Sequence, residues 1–421
     1  MLLIKPQPYY SQRSTAPIPE NNMHKPLPIW AWSAILLLLV CLSRVSIDIY
    51  LPSLPAMADA LHASDAQLQL TLSLFMAGSA ASMLVCGPLA DRHGRRAVLL
   101  AGMAIYLLAS IVCACATSAP VLIAARVLQA FGGCSGTIIC RVMVRDRFDP
   151  ATQARMLGRI SMGMGLSPIV APLLGSVLEV TLGWRAVFMV LCALGLLSVL
   201  LIARYLPETK PANAVPHGNV LRLYRRLLAD AYFLRYALAI GFVYCTYFPF
   251  IAESSVLLQR GWQLSPGAYA LVFGLTVSGY MTGSKLFQKW APRHGADRLL
   301  GLAVALNLAG AASMLVLGKL APWNLASLVA PMMVVMLSVG MAIPACQLAV
   351  LQPYGAQAGS ASGLFFFIQM AITSACGALI AALSDGSAQP MLWVTAGASA
   401  AFAAVCLLSA RVRAPQASMF T

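Results

Sequence analysis

The chain has 421 residues, 60% of them apolar and only 10% charged, with a mean hydropathy of +0.80. A soluble protein carries about 25% charged residues, so this sequence lacks the polar coat of one and reads as an integral membrane protein that crosses many times. The formal net charge of +15 would suit a nucleic-acid partner, but its placement along the chain is topological, and no nucleic-acid binding is expected.

A crossing takes about 20 apolar residues, and the sequence breaks into twelve such runs. Residues 1–29 precede them. They are rich in proline and scattered polar residues and are expected to form a disordered cytoplasmic tail with no cleavable leader. Runs at 30–50, 67–87, 97–117, 119–141, 155–178 and 186–205 make an amino-terminal bundle, 30–205. Between its second and third runs lies Gly87-Pro88-Leu89-Ala90-Asp91-Arg92-His93-Gly94-Arg95-Arg96, a connection so short that it forces the two spans antiparallel. Gly87 and Gly94 are expected to allow close helix approach and a tight backbone. Asp91, the local acid, is free to pair with an arginine or to cap a helix. The fifth run carries Gly163, Gly165, Pro168, Pro172 and Gly175, which suits either close packing or a bend at a moving interface.

Residues 206–232 form the one long interior connector. Pro207, Pro211 and Pro216 and the Arg222, Arg225, Arg226 cluster suit an interfacial segment on anionic lipid. Runs at 233–256, 268–290, 299–317, 323–347, 359–383 and 390–410 make a carboxy-terminal bundle, 233–411, followed by a second cytoplasmic tail, 412–421. Arg293-His294-Gly295 with Arg298 repeats Arg92-His93-Gly94 with Arg96, although Pro292 stands where the first copy has Asp91. Two parallel halves of this kind imply a pseudo-twofold axis along the membrane normal and a substrate site between the halves.

An even number of crossings leaves both chain ends on one side. Arg185, Arg260 and Lys319 fall on one side and Arg44 and Arg126 within runs; all other Lys and Arg lie on the side of the Gly87–Arg96 segment. The positive-inside rule then puts that side and both termini in the cytoplasm. The 11 cysteines lie almost entirely within runs and show no paired spacing, as expected of small packing residues rather than metal or redox sites. No P-loop, metal-ligand cluster or nucleophile motif is visible, so no catalysis, metal, cofactor or ATP drive is expected.

Arg44, Asp48 and Arg126 are charges inside spans, each costing about 2.5–3.5 kcal/mol at a helix centre, and should face the bundle interior. Arg44 and Asp48 are four apart, on one helix face, and able to pair. The trio reads either as an ion-pair network tying spans one and four together or as a proton site. A carboxylate that alternates between a dry cavity and a nearby guanidinium can take up a proton on one side and release it on the other. Tyr244, Tyr247, Phe250 and Glu253 form an aromatic cluster with an acid. It would line a cavity for a bulky ligand or form an interfacial belt. With Arg44, Tyr50 and Gln129 they are the candidate cavity residues. Gln129, Asn307, Gln347 and Gln369 are also expected to hydrogen-bond between helices.

Together these pieces resemble the major facilitator superfamily over essentially the whole chain, the Gly87–Arg96 segment being similar to its signature loop. Ser46-Ile47-Asp48-Ile49-Tyr50-Leu51-Pro52-Ser53-Leu54-Pro55 resembles the end of span one in proton-coupled exporters of the bicyclomycin/chloramphenicol-resistance (Bcr/CflA) type. Arg126-Val127-Leu128-Gln129-Ala130-Phe131-Gly132-Gly133 resembles their span-four motif, with Ala130 for a common glycine. Ser167-Pro168 with Ala171-Pro172-Leu173-Leu174-Gly175 is similar to the exporter motif of span five. Gly183-Trp184-Arg185 and Leu206-Pro207-Glu208-Thr209 complete the likeness.

The resemblance implies an all-α fold of twelve transmembrane helices in two pseudo-symmetric six-helix bundles. It also implies a monomeric antiporter in a bacterial inner membrane, driven by the proton gradient, whose partners are protons, lipid and a small-molecule substrate such as a drug. Asp48 and Arg126 would couple protons. Gly87, Asp91, Arg92, Gly94, Arg95 and Arg96 would form a conformational latch, with Pro168, Pro172 and Gly175 at a moving interface. Arg44 is outside the pattern. With it the interior trio carries +1 when Asp48 is ionised, which suits an anionic substrate or a resting partner for Asp48. The alternative reading is dedicated export of an endogenous anionic metabolite such as a carboxylate siderophore, and a non-transporting sensor is the reading from another class.

Overall fold

The computed structural model describes residues 28–210, 220–320, 324–351 and 358–408; most of the two expected tails and residues 211–219 of the connector lie outside them. Every element in the described residues is helical. The amino-terminal bundle comprises α1 (Ile29–Asp48), a 3-10 turn (Leu51–Ser53) leading into α2 (Leu54–Ala60), α3 (Asp65–His93), α4 (Arg95–Ala114), α5 (Ala119–Arg147), α6 (Pro150–Leu182) and α7 (Trp184–Tyr205). A short helix, α8 (Val220–Ala229), lies in the connector. The second bundle comprises α9 (Ala231–Cys245), α10 (Phe248–Val256) ending in a wide turn (Leu257–Gly261), α11 (Pro266–His294), α12 (Ala296–Leu320), α13 (Leu325–Leu351), α14 (Ala358–Leu383) and α15 (Gln389–Leu408).

Eleven of these stretches are long and apolar enough to cross a membrane. The twelfth, α11, is 29 residues long and packs between α13 of its own bundle and α6 of the other, which accounts for its more polar sequence. Both halves use the same local devices. Ser64 opens α3 with a capping box: its Oγ accepts from Gln67 N at 3.2 Å, and Gln67 Oε1 accepts from Ser64 N at 3.1 Å. Ser265 opens α11 by accepting from Ala268 N at 3.2 Å. The residues just before these caps include His62 and Gln263, with φ of 50° and 55°. Gly94 and Gly295, with φ of 97° and 80°, separate α3 from α4 and α11 from α12. His93 and His294 each place Nδ1 3.3 Å from the carbonyl four residues back. The repeat inferred from Arg-His-Gly is thus a repeat of backbone and side-chain geometry.

The expected ten-residue connection at Gly87–Arg96 is a correction: α3 runs through it to His93, with Pro88 inside the helix, and only Gly94 is non-helical. α3, α5 and α11 run past their apolar stretches, to His93, Arg147 and His294, into basic ends. The first helix of each half departs from expectation in the other direction. Span one stops at Asp48 and resumes beyond Pro52, and span seven stops at Cys245 and resumes at Phe248 before Pro249. Proline cannot donate to the helical ladder, and each break lies close to the interface between bundles.

The molecule has two poles. A basic pole carries the Gly94 and Gly295 breaks, the end of α5 with exposed Arg145 and Arg147, and α8. The opposite pole carries α2, the end of α10 and Gly183. On α8, Arg222, Arg225 and Arg226 are exposed while Leu227 is buried, an amphipathic arrangement that fits the interfacial reading. Across the bundle interface α3 packs on α14 and α6 on α11.

Candidate functional site

The break after α1 leaves Asp48 at a helix end, fully buried. Arg44 Nε lies 3.3 Å from Asp48 Oδ2, so the i,i+4 pair expected from the spacing forms. It is the only ion pair Asp48 makes among the described residues. The arginine, 23% exposed in its side chain, lies within electrostatic reach of Tyr244, Tyr247 and Tyr280 in the opposite bundle. Tyr269 of α11 is likewise close to Asp48. Tyr244 and Tyr247 flank the α9–α10 break with ring centroids 5.2 Å apart.

Arg126 does not join this group, contrary to the expected trio. It is fully buried in the amino-terminal bundle, where Nη1 donates to Gln129 Oε1 at 2.6 Å and Gln129 Nε2 donates to Ser110 Oγ at 2.8 Å. Its guanidinium carbon lies 4.2 Å from the Tyr50 ring centroid and 4.3 Å from that of Phe75. Two rings and an amide do the work a carboxylate was expected to do; such a sandwich stabilises a desolvated cation. Tyr50 and Gln129 are therefore packing and hydrogen-bonding residues in this state rather than cavity residues. Phe250 is likewise fully buried, stacked on Phe273 at 6.1 Å and 10°. Glu253 is buried near the opposite pole, beside Ser384 and Asp385, away from Arg44. Asn307 donates to Thr246 at 3.2 Å and Ser338 at 2.6 Å, the interhelical role expected of it.

Reading the sequence missed one residue of this region. The expected run 119–141 ends at Arg141 and the charge distribution groups this residue with the cytoplasmic side, yet it lies inside α5, six residues before the helix ends at Arg147. Its guanidinium is 5.7 Å from the Phe366 ring of α14, in the other bundle, and 3.8 Å from the Met164 sulfur. It is also within electrostatic reach of Tyr244. No carboxylate pairs with it among the described residues. The signal that would have found it is a charge followed by the apolar turn Val142-Met143-Val144 before the next arginine.

At the basic pole the expected latch residues knit the amino-terminal bundle together. Arg95, nearly buried, pairs with Asp91 and, at 3.2 Å, with Asp146 of α5. Arg96 Nη2 donates to the Ala203 carbonyl at 2.6 Å, and the Arg92 carbonyl accepts from Lys210 Nζ at 3.0 Å. Glu208 caps α4: its Oε1 accepts from Arg95 N at 2.8 Å and its Oε2 from Arg96 N at 3.1 Å. The carboxylate occupies the space a Cβ on Gly94 would need. Gly87 shows no such close approach. Neither Asp146 nor the capping role of Glu208 was expected. Tyr224 of α8 links this region to the other bundle. Burial, and then the charge of Asp91, pushes its phenol above the ordinary value, and its hydroxyl lies near Gly363 of α14. Of the interface residues on α6, Pro168 and Pro172 are buried in a helix that stays continuous, and Gly175 meets the Ile49 carbonyl at the α1 break with no room for a side chain.

The opposite pole is closed across the bundles. Arg260 Nη2 meets Asp59 at 2.6 Å and Nη1 meets Asp65 at 3.1 Å. Gln259 Nε2 donates to the Pro52 carbonyl at 2.9 Å, and Ser255 Oγ to the Leu51 carbonyl. Along α3 and α14, Ser374 Oγ donates to the Ser73 carbonyl at 2.8 Å.

Two helical bundles, related by a repeat and holding charged side chains between them, define a polytopic membrane transporter. The sequence pattern of the Major Facilitator Superfamily matches residues 36–377, and the chain belongs to that superfamily. It is 30% identical over 367 residues to the uncharacterized MFS-type transporter YdgK of Bacillus subtilis (strain 168), covering 85% of this chain and 91% of that protein. It is 32% identical over 246 residues to the multidrug resistance protein MdtL of Escherichia fergusonii, covering 58% of this chain and 63%, under two thirds, of MdtL. The fold is shared with the crystal structure of a D-xylose-proton symporter (TM-score 0.71, 12% identity) and with a bacterial homologue of the human lysosomal transporter Spinster in an inward-facing, occupied conformation (TM-score 0.69, 18% identity). Each alignment covers 92% of this chain and 98% of the other.

Proposed function

We propose that this protein is a proton-coupled exporter of small molecules, drugs or other toxic compounds among them, of the Bcr/CflA type. In this reading it works by alternating access in a bacterial inner membrane, with the basic pole and both termini in the cytoplasm and no cofactor beyond the proton gradient. The observation that carries the reading is Asp48, a fully buried carboxylate at a helix break held by a single arginine 3.3 Å away. Protonation releases Arg44 from it, so the two protonation states favour different arrangements of the same interface. The likeness to MdtL over part of the chain supports outward transport of drugs. Arg126, held between two rings and Gln129, supports the shape of the amino-terminal bundle around Asp48.

The test is substrate-induced proton flux in everted vesicles, wild type against Asp48→Asn. Wild type is expected to release lumenal protons when substrate is added, and the variant to bind substrate without proton movement. Unaltered flux in the variant would remove Asp48 from coupling.

A further inference from the structure

Resting on the transporter reading, we propose that the bundle interface around Arg141 binds a small organic anion, a carboxylate on an aromatic or apolar body, and that Arg141 is its charge ligand. Arg141 has the surroundings of a binding group rather than of a topological anchor. Arg145 and Arg147, one and two turns further along α5, are exposed at the basic pole, whereas Arg141 is half-buried and turned to the other bundle. Its neighbours are the Phe366 ring, the Met164 sulfur, and Tyr244, Cys134 and Cys140. A guanidinium withdrawn from water is costly unless it is paired, and the described residues offer Arg141 no carboxylate. An incoming anion supplies that partner in the bidentate geometry guanidinium favours. The half-buried Tyr244, Tyr280, Phe366 and Met164 provide the apolar wall.

The sign of coupling distinguishes Arg141 from Arg44. Arg44 is occupied by Asp48 and becomes available to an anion only when Asp48 takes a proton. An anion bound there would therefore be favoured together with the proton, which couples the two in the same direction. Exchange of a proton for an anion requires a ligand that stays available while Asp48 is ionised. Arg141 meets that requirement.

The experiment measures equilibrium binding of 2-naphthoate and its neutral isostere 2-naphthamide to purified protein in detergent, without a gradient. It uses wild type, Arg141→Gln, Arg141→Lys and Arg44→Gln. Wild type is expected to prefer the carboxylate. Arg141→Gln should lower the naphthoate-to-naphthamide affinity ratio by about tenfold or more, as for loss of a charged hydrogen bond, with Arg141→Lys retaining part of the preference. Equal affinity for both probes in wild type, or an unchanged ratio in Arg141→Gln, overturns the proposal. So does a preference abolished by Arg44→Gln and untouched at Arg141. Because no proton movement is measured, an anion preference without substrate-induced flux would sink the antiport reading and leave this site standing; flux with no anion preference would do the reverse.

Discussion

At the scale of single residues, the two interior arginines of the amino-terminal bundle solve the same problem in different ways. Arg44 has a carboxylate and Arg126 has none among the described residues; Arg126 is held by Gln129 and by the faces of Tyr50 and Phe75. Gln129→Leu leaves a buried guanidinium nitrogen without its acceptor, which costs about 1–3 kcal/mol. Arg126→Leu removes the charge but opens space between two rings. The double variant replaces both partners by apolar groups, and such replacement is far less damaging than orphaning one of them. Unfolding in detergent should therefore show the double variant losing at least 1 kcal/mol less than the sum of the two single losses, to order of magnitude. Additive losses would mean that the hydrogen bond is incidental. Arg126→Lys should not restore stability, because an ammonium cannot lie flat between two rings or donate from a planar fork.

At the scale of elements, the paired glycine breaks offer an internal control. Gly94 and Gly295 both lie in a backbone region that L side chains seldom enter, where an alanine costs about 1–3 kcal/mol. Around Gly295 a Cβ meets nothing, whereas at Gly94 it meets the Glu208 carboxylate that caps α4. Gly94→Ala should therefore cost more than Gly295→Ala by roughly the value of a helix cap, about 0.5–2 kcal/mol, measured as thermal unfolding in one detergent. Glu208→Ala should remove most of that difference; equal penalties in its presence would show that the cap contributes nothing. The Arg-His-Gly repeat was legible because a glycine between two apolar runs has few roles. The i,i+4 pair of Arg44 and Asp48 was legible because helix geometry alone fixes it. The partners of Arg95 and Arg141 were not, since Asp146, Glu208 and Phe366 are brought to them by packing between distant segments. Nor does an aromatic residue announce its facing: Tyr50 and Phe250 read as cavity walls and are core. Apolar runs report the thickness of hydrocarbon, so they ended α5 at Arg141 although the helix continues to Arg147.

At the scale of the whole molecule, the state shown here is closed at the pole opposite the basic one, and the closure is of two kinds. Ser255 and Gln259 bond backbone carbonyls at the α1 break, and these contacts are buried or half-buried. The Arg260 pairs with Asp59 and Asp65 are exposed and are the ion pairs that join the two bundles among the described residues. Exposed pairs contribute about 0.2–1 kcal/mol each and are screened by salt. Losing both should raise the population open at this pole several-fold, since 1.4 kcal/mol corresponds to tenfold. The measurement is the distance distribution between spin labels at Ala60 and Gln263, attached through ketone-bearing unnatural side chains because the chain has 11 native cysteines. In wild type, raising salt from about 0.05 to 1 M, which shortens the screening length from over 10 Å to about 3 Å, should lengthen the distribution. Arg260→Ala should show the longer distribution at low salt and respond little to more. A distribution indifferent to both changes would place the closing energy in the α3–α14 packing and the carbonyl contacts. An equal salt response in the variant would assign the effect to charges elsewhere.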